Sequence, residues 1–195
     1  MNSYKVNEIF AGVQAEGGNA GRAAVFVRLS GCNLRCPWCD TPRHNEGAVM
    51  SRQELEAAVM ALYHPGMMIL FTGGEPTLQL KEEEELFPGI YRAIETNGTR
   101  PVPTWIDYVA CSPKSDLDFN SAELLRQLHP SEIKLVFEPG REAYLLNLEK
   151  SAPCPLFLQP LELDGKMNTA ETIDFLLAHP RYRLSLQYHK LIGIR

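Results

Sequence analysis

The sequence predicts an α/β protein whose parallel strands form an incomplete, open barrel. Apolar, β-branched or aromatic runs recur along the chain, and helical stretches follow several of them, which is typical of parallel strands with crossover helices. Polar and glycine-rich segments follow the strands at residues 31–32, 72–75, 95–98, 112–114 and 159–160. In parallel α/β folds the site forms at this end of the strands. The chain has 195 residues, whereas a complete eight-fold barrel needs about 250, so we expect an open barrel.

The elements follow one another as a single domain over residues 1–195. Strands are predicted at residues 23–29, 68–71, 91–95, 106–111, 133–137, 156–159 and 182–187. Helices are predicted at residues 51–63, 122–128, 142–148 and 169–177. The first helix opens with a capping box between Ser51 and Glu54. Residues 78–87 make a short connection in which the acidic run at residues 82–85 is expected to form a solvated helix face.

Composition narrows the functional class. The net charge of −5 argues against an extended nucleic-acid surface, which requires a clustered basic excess. No apolar run approaches the length of a membrane span, and the first residues lack the apolar core of a signal peptide. We therefore expect a cytoplasmic protein that binds neither nucleic acid nor a membrane.

Five cysteines divide into a cluster and two isolated residues. An odd number in a cytoplasmic chain does not indicate a disulfide framework. Cys111 ends an apolar run and Cys154 lies between two prolines, so both are interpreted as small buried hydrophobes. The chemistry is therefore expected from Cys32, Cys36 and Cys39.

These three cysteines fit a 4Fe–4S cluster better than zinc. A structural zinc site needs four ligands, usually two separated pairs, and His44 is the nearby candidate for a fourth. A 4Fe–4S cluster takes one thiolate per iron, so three cysteines leave one iron open to a bound molecule. Residues 73–76, Gly-Gly-Glu-Pro, follow a buried strand and are expected to offer backbone N–H donors to a bound amino acid group.

The motif CxxxCxxC followed by GGEP resembles the radical S-adenosylmethionine (SAM) superfamily. The flanking sequence is similar to the 7-carboxy-7-deazaguanine synthase family, which makes a precursor of queuosine. The similarity extends over residues 8–17, 21–22, 26–34, 38–41, 72–76, 95–98, 112–114, 159–160 and 187–190. The resemblance implies a barrel of the radical SAM type and a lyase that contracts 6-carboxy-5,6,7,8-tetrahydropterin with loss of ammonia. It also implies a reductase or flavodoxin-type electron donor and a homodimer.

The resemblance assigns cofactors and site residues. Cys32, Cys36 and Cys39 would bind the 4Fe–4S cluster, and Thr41 would bind Mg²⁺. SAM contacts would be Trp38, Cys39, Asp40, Gly74, Ser112, Pro113, Lys114, Gln159, Pro160, Leu161 and Glu162. Substrate contacts would be Val13, Gln14, Ala15, Glu16, Arg28, Thr72, Glu95, His189 and the terminal carboxylate of Arg195. Arg28 and Glu95 are the catalytic candidates.

The chemistry of these residue types suits a carboxypterin. Carboxylates such as Glu16 accept from the amine and ring N–H groups of a pterin, and Arg28 can bind a carboxylate bidentately. Each assignment has an ordinary structural alternative: a surface salt bridge for Arg28, a loop cap for Glu95, a surface histidine for His189 and a turn for Thr41.

Two positions depart from the family pattern. Ala15 replaces a glycine, which would cost about 1 kcal/mol if the position needed positive φ. Leu161 and Glu162 replace a Met-Asp pair among the SAM contacts. The alternative functions are a radical SAM activase of a glycyl-radical protein and a non-catalytic zinc-binding module.

Overall fold

A large twisted sheet organises the chain. The computed structural model describes residues 3–39, 41, 45–114, 128–163 and 165–194. The strands are β1 (Ser3–Val13), β2 (Ala23–Leu29), β3 (Ala48–Ser51), β4 (Met68–Gly73), β5 (Arg92–Thr96), β6 (Tyr108–Cys111), β7 (Glu132–Phe137), β8 (Leu156–Pro160), β9 (Glu162–Leu163), β10 (Lys166–Met167) and β11 (Tyr182–Leu184). The helices are α1 (Arg52–Met60), α2 (Glu142–Ser151), α3 (Thr169–Ala178) and α4 (Tyr188–Ile192).

Nine strands of the described ranges form one sheet in the order β11-β8-β7-β6-β5-β4-β2-β1-β3. The strands from β2 through β11 in this order pair in parallel. β1 pairs antiparallel with both β2 and β3. β3 and β11 are the two edges of this sheet, so it is open, as predicted.

Alternation along the strands separates a packed face from a cavity face. On β2, Val25, Val27 and Leu29 join the core cluster that includes Leu55 and Val59 of α1. On β7, alternate apolar residues likewise pack with α2 in a second cluster. Successive strand residues point to opposite faces, so the residues between these positions face the other side of the sheet. The functional side chains are therefore expected at those intervening positions.

The seven predicted strands are confirmed, although the last one ends at Leu184 rather than at residue 187. Three predicted helices are confirmed with bounds shifted by up to three residues, and the prediction at 122–128 falls almost entirely outside the described residues. β1 was missed because polar residues such as Asn7 and Glu8 interrupt its apolar pattern. The interpretation of residues 82–85 as a helix face is wrong, since Glu82 and Glu83 form a turn and Glu84 and Glu85 have no regular structure.

Acidic side chains within residues 82–85 have specific partners in the fold, which explains why they do not line an exposed helix face. Glu84 is buried and accepts a hydrogen bond from the Tyr4 hydroxyl at 3.1 Å. Glu85 pairs with the buried guanidinium of Arg92 at 2.6 Å. These carboxylates therefore bind specific groups of the fold instead of lining one exposed helix face.

A polar contact bends the sheet around a cavity. The turn Gly17–Asn19 follows β1, yet the Gly18 N–H donates to Oε2 of Glu132 on β7 at 2.6 Å. The Tyr108 hydroxyl donates to the same oxygen at 2.6 Å. Gly17 has φ of +64°, and a Cβ there would lie 2.1 Å from Glu132 Oε1, so only glycine permits this approach. The contact joins the β1–β2 connection to a strand five positions away in the sheet.

We predict that Glu132→Ala destabilises the fold. The change leaves the Gly18 N–H and the half-buried Tyr108 hydroxyl without their acceptor, and a hydrogen bond to a charged group contributes about 1.5–3 kcal/mol. For a chain of this size each kcal/mol lowers the melting temperature by about 2–4 °C. Tyr108→Phe removes one donor and leaves the Gly18 contact, so its effect should be smaller. A thermal denaturation curve for Glu132→Ala that matches the wild type would contradict this role.

Candidate active site

A cavity of about 850 Å³ opens at the carboxyl ends of the parallel strands. It brings together most of the predicted site residues: Val13, Gln14, Ala15, Glu16, Arg28, Cys32, Cys36, Trp38, Cys39, Thr41, Thr72, Gly74, Glu95, Ser112, Lys114, Gln159, Pro160, Leu161, Glu162 and His189. Pro113 is buried but is not part of the cavity wall. Asp40 and Arg195 lie outside the described residues.

The pleat of the sheet explains which polar side chains reach the cavity. All five polar side chains of this set line the cavity from parallel strands: Arg28, Thr72, Glu95 and Gln159 lie near the carboxyl ends of their strands, and Lys134 lies in the middle of β7. On each strand the residue just before the polar one is apolar and fully buried, and it packs on the helix-covered face of the sheet. The two-residue period therefore directs the polar side chains to the cavity.

The cysteine loop connects β2 to β3 on the cavity wall. All five cysteines fall within the described ranges, and none forms a disulfide. The Leu34 N–H donates to Cys32 Sγ at 3.4 Å, which suits a sulfur that carries negative charge. No three His, Cys, Asp or Glu residues of the described ranges are arranged to hold a single metal ion. A cubane cluster instead binds each thiolate to a different iron, so cysteines spread along one cavity wall fit a cluster.

The two isolated cysteines differ from this group. Burial raises the pKa of Cys111 to about 12 and the pKa of Cys154 to about 11. Cys111 is fully buried in the core, as predicted, and Cys154 is partly buried against it. Both thiols stay protonated at neutral pH, so neither resembles a metal ligand.

The carboxylate of Glu75 fixes the loops that follow β4 and β5. This side chain is fully buried and accepts from the Thr77 hydroxyl at 2.6 Å and the Thr96 hydroxyl at 2.8 Å. It also accepts from the Asn97 N–H at 2.7 Å, and the Asn97 side chain donates to Asn33 Oδ1 in the cysteine loop at 3.0 Å. The sequence analysis did not assign this role to Glu75.

The turn at Gly74 packs directly against the backbone at the end of β2. The Gly74 N–H donates to the Leu29 carbonyl at 3.0 Å, and the Glu75 N–H donates to the Gly31 carbonyl at 2.8 Å. The prediction that this turn offers backbone donors to a ligand is therefore wrong for these two residues, because the end of β2 already uses them. A Cβ on Gly74 would lie 2.0 Å from the Gly31 carbonyl oxygen.

Several residues predicted to contact SAM share one wall. The Lys114 ammonium donates to the Ser112 hydroxyl at 2.8 Å and lies 5.1 Å from the centroid of the Trp38 ring. The Gln159 side-chain oxygen is buried and, within the described residues, has no hydrogen-bond partner. A buried acceptor without a donor destabilises a folded protein, and such groups are rare in native structures. This oxygen on the cavity wall therefore fits a bound molecule with N–H or O–H groups, as SAM has.

A network of charged side chains also lines the cavity. Glu95 accepts from the Gln14 amide at 2.9 Å and from the Thr72 hydroxyl at 3.2 Å. The Lys134 ammonium contacts Glu95 Oε1 at 3.2 Å and also binds Glu16. Glu95 thus belongs to a network across the cavity wall, which excludes the simple loop cap.

These contacts set the charge of the network. Burial raises the pKa of Glu95, but the attraction of the Lys134 ammonium and three hydrogen bonds outweigh burial and lower the pKa to about 2. Burial lowers the pKa of Lys134, whereas the charges of Glu16 and Glu95 raise it above its ordinary value. Lys134 and Glu95 are therefore both charged at neutral pH.

Arg28 lies beside Thr41 on the cavity wall. Its Nε donates to Glu8 at 2.7 Å, and its Nη1 donates to the Thr41 hydroxyl at 3.2 Å. Only about a quarter of either side chain in the Arg28–Glu8 pair is exposed. The pair is therefore a partly buried feature of the cavity and not a surface salt bridge.

Lys134 was not among the predicted site residues, although its place in the sequence carries a signal. Lys134 alternates with Ile133 and Leu135 on a predicted strand, so a two-residue period places it on the face opposite the core. Gln187, which donates to Glu16 at 2.8 Å, was noted only as part of a motif.

The comparisons with known proteins identify the family. The radical SAM superfamily matches residues 26–129. The 7-carboxy-7-deazaguanine synthase of Bacteroides thetaiotaomicron is 42% identical and covers 98% of each chain. That of Haemophilus influenzae is 39% identical, over 98% of this chain and 94% of the relative. The chain belongs to the 7-carboxy-7-deazaguanine synthase family.

The structural comparison agrees with this assignment. The crystal structure of QueE from Escherichia coli superposes with a TM-score of 0.71 at 26% identity, over 95% of this chain and 94% of that one. The family resemblance and the radical SAM fold are thus confirmed, and the chain is a radical SAM enzyme. Membership implies a 4Fe–4S cluster and SAM as cofactors, and the cysteine loop and the Gln159 wall fit them. No described helix has enough apolar length to cross a bilayer.

The alanine that departs from the family pattern causes no backbone strain. Phe87 and His129 are the non-glycine residues of the described ranges with positive φ, so Ala15 does not need the glycine conformation. The Ala15 side chain is buried, and its carbonyl accepts from the Tyr188 N–H at 3.3 Å. The cost of about 1 kcal/mol considered for positive φ therefore does not arise.

We predict that Gly74→Ala disrupts the packing of the glycine turn on the cysteine loop. The added methyl overlaps the backbone at Gly31 and Cys32, and overpacking of this kind costs about 1–3 kcal/mol. Iron content after anaerobic reconstitution should fall with stability. Gly66→Ala is the control, because its φ of +95° adds strain while nothing lies within 4 Å of the new methyl. Equal iron content in Gly74→Ala and the wild type would contradict the close-approach role.

Proposed function

We propose that this chain contracts 6-carboxy-5,6,7,8-tetrahydropterin to 7-carboxy-7-deazaguanine, with loss of ammonia, in queuosine biosynthesis. The observation that carries the proposal is the near full-length identity of 42% to a 7-carboxy-7-deazaguanine synthase, on a chain whose cavity holds the expected residues. The cavity supports the proposal because it combines three cysteines, an arginine and a paired set of carboxylates.

The charged wall suits the donor edge of a pterin. Glu16 and Glu95 would accept from its amine and ring N–H groups, helped by Gln14, Thr72 and His189. Charge-assisted hydrogen bonds of this kind are shorter and stronger than neutral ones. Val13 and Ala15 would contact the ring, and the terminal carboxylate of Arg195 is included from the family resemblance. Arg28 would bind the carboxylate of the substrate and so fix the orientation of carbon 6.

The remaining assignments concern the cofactors. Cys32, Cys36 and Cys39 would hold the cluster, and Trp38, Cys39, Asp40, Gly74, residues 112–114 and residues 159–162 would hold SAM. When bound, these cofactors supply an electron and a 5′-deoxyadenosyl radical that takes hydrogen from carbon 6. The protein's own part is to orient the substrate and to exclude competing reactions.

Thr41 would bind Mg²⁺ through its hydroxyl. That hydroxyl accepts from Arg28 on the cavity wall, and hydroxyl oxygens are among the hard oxygen ligands that Mg²⁺ takes. Water and substrate oxygens would supply the remaining ligands that Mg²⁺ requires. A substrate carboxylate that binds Arg28 lies near Thr41 and would provide such an oxygen.

Domain organisation, location and partners complete the proposed function. We propose a single domain over residues 1–195 that acts in the cytoplasm as a homodimer. A reductase or flavodoxin-type protein would supply the electron. These points are supported by the family resemblance.

Cluster content and turnover test the function together. Anaerobically purified protein should be brown, contain about four irons per chain and convert carboxypterin to 7-carboxy-7-deazaguanine in the presence of SAM and a reductant. Changing Cys32, Cys36 or Cys39 to alanine should bleach it, whereas Cys111→Ala and Cys154→Ala should retain the iron. Stoichiometric zinc without sulfide, or an iron-loaded protein that leaves carboxypterin unchanged, would overturn the proposal.

Thr41→Ala tests the magnesium assignment. Loss of the hydroxyl should raise the Mg²⁺ concentration needed for half-maximal stimulation at least tenfold, equivalent to about 1.4 kcal/mol. Iron content and reductive cleavage of SAM should not change. Thr41→Ser keeps the hydroxyl and serves as the control. An unaltered Mg²⁺ dependence of Thr41→Ala at limiting substrate would leave the threonine with a structural role only.

A further inference from the structure

Lys134 lies between two carboxylates that come from distant parts of the chain. Its side chain is 9% exposed and contacts Glu16 of the β1–β2 connection and Glu95 of β5. Gln187, before α4, donates to the other oxygen of Glu16 at 2.8 Å. A buried ammonium in such a position replaces lost hydration with two ion pairs.

We infer that Lys134 is a positioning residue, which holds Glu16 and Glu95 ionised and correctly spaced for the donor edge of the substrate. The inference rests on the proposed function, since both carboxylates are assigned there to the pterin. It adds a residue that the family resemblance did not assign to the site.

Electrostatic repulsion explains why a cation is needed between the carboxylates of Glu16 and Glu95. Two partly buried carboxylates that face one cavity repel each other, and partial loss of hydration further favours the neutral acid, so without a counter-ion one of them takes up a proton at a raised pKa. A protonated carboxyl loses acceptor capacity toward pterin N–H groups. The ammonium of Lys134 opposes both effects, because it attracts each carboxylate at contact distance.

Other charged groups face the same region. From the strands these are Glu132 on β7 and Arg28 on β2, with Tyr108 of β6 bonded to Glu132. From the other side, His189 and Lys190 of α4 line the cavity. Comparison of each variant with the wild type at the same pH cancels the titration of these groups and of the substrate.

The sign of the expected pH effect follows from Glu95. In the wild type its pKa is about 2, below the ordinary 4.5, so the contribution of the ionised form is complete above 4.5 and is lost only as the pH falls toward 2. Between pH 5.5 and 8.5 Glu95 stays ionised. In Lys134→Met a carboxyl with a raised pKa is protonated at the acid end of this range and regains its charge as the pH rises.

The test measures the dissociation constant of carboxypterin for the reconstituted, SAM-loaded enzyme between pH 5.5 and 8.5. Lys134→Met should bind at least tenfold more weakly at the acid end, and the ratio of its dissociation constant to that of the wild type should fall as the pH rises. Lys134→Arg keeps the charge and should show a ratio that does not vary with pH. Lys166→Met, an exposed lysine outside the cavity wall, is the matched control and should bind as the wild type does.

The double variant Lys134→Met with Glu16→Gln keeps the test decisive if Lys134→Met folds poorly. Removing one of the two repelling carboxylates should raise its melting temperature above that of Lys134→Met, or make it soluble where the single variant is not. A pH-independent loss of affinity, or no rescue by Glu16→Gln, would overturn the role of Lys134 while wild-type turnover left the proposed function standing. A wild type that does not turn over carboxypterin would remove the proposed function and this inference with it.

Discussion

The cavity depends on the contact between the carboxylate of Glu132 and the backbone of the turn at Gly17 and Gly18. An open sheet has no ladder of hydrogen bonds to close it, so its curvature must be fixed by other means. Here a single carboxylate oxygen accepts from Gly18 on one side and from Tyr108 on the other. Because Glu16 directly precedes this turn, the contact that joins the turn to β7 also holds a side chain that lines the cavity. Shape and site are therefore coupled through three consecutive residues.

Glu75 is a second carboxylate that joins separate segments of the chain. It links the loops after β4 and β5 and, through Asn97, the cysteine loop. Burial of a charged group is costly unless the group is hydrogen-bonded or paired. The structure meets this requirement with short hydroxyl and amide contacts. Such fully satisfied polar centres fix relative loop positions more tightly than apolar packing does, because their geometry is directional. A cluster loop that must hold three thiolates at set positions gains most from that rigidity.

The sequence predicted the seven parallel strands because buried strands have nearly continuous apolar runs, and it predicted the location of the site because motifs follow those runs. It did not predict β1, whose polar residues include Glu8, a partner of Arg28. The turn at Gly74 shows a different limit. Its glycines were recognised, but the use of its N–H groups by the end of β2 is a tertiary contact without a local signal. Lys134 was recoverable from strand alternation, although its two partners, more than 35 residues away, were not.

The charges of the cavity also bear on how a substrate is oriented under the proposed function. The carboxylates of Glu16 and Glu95 both contact Lys134, while the guanidinium of Arg28 lies next to Thr41. A carboxypterin has N–H donors at one end and a carboxylate at the other. In the reversed orientation its carboxylate would face two carboxylates in a desolvated cavity, where like charges repel strongly. The asymmetry therefore selects one orientation by penalising the other. That penalty exists only while both carboxylates stay ionised, so a cation that keeps them charged contributes to selectivity as well as to affinity.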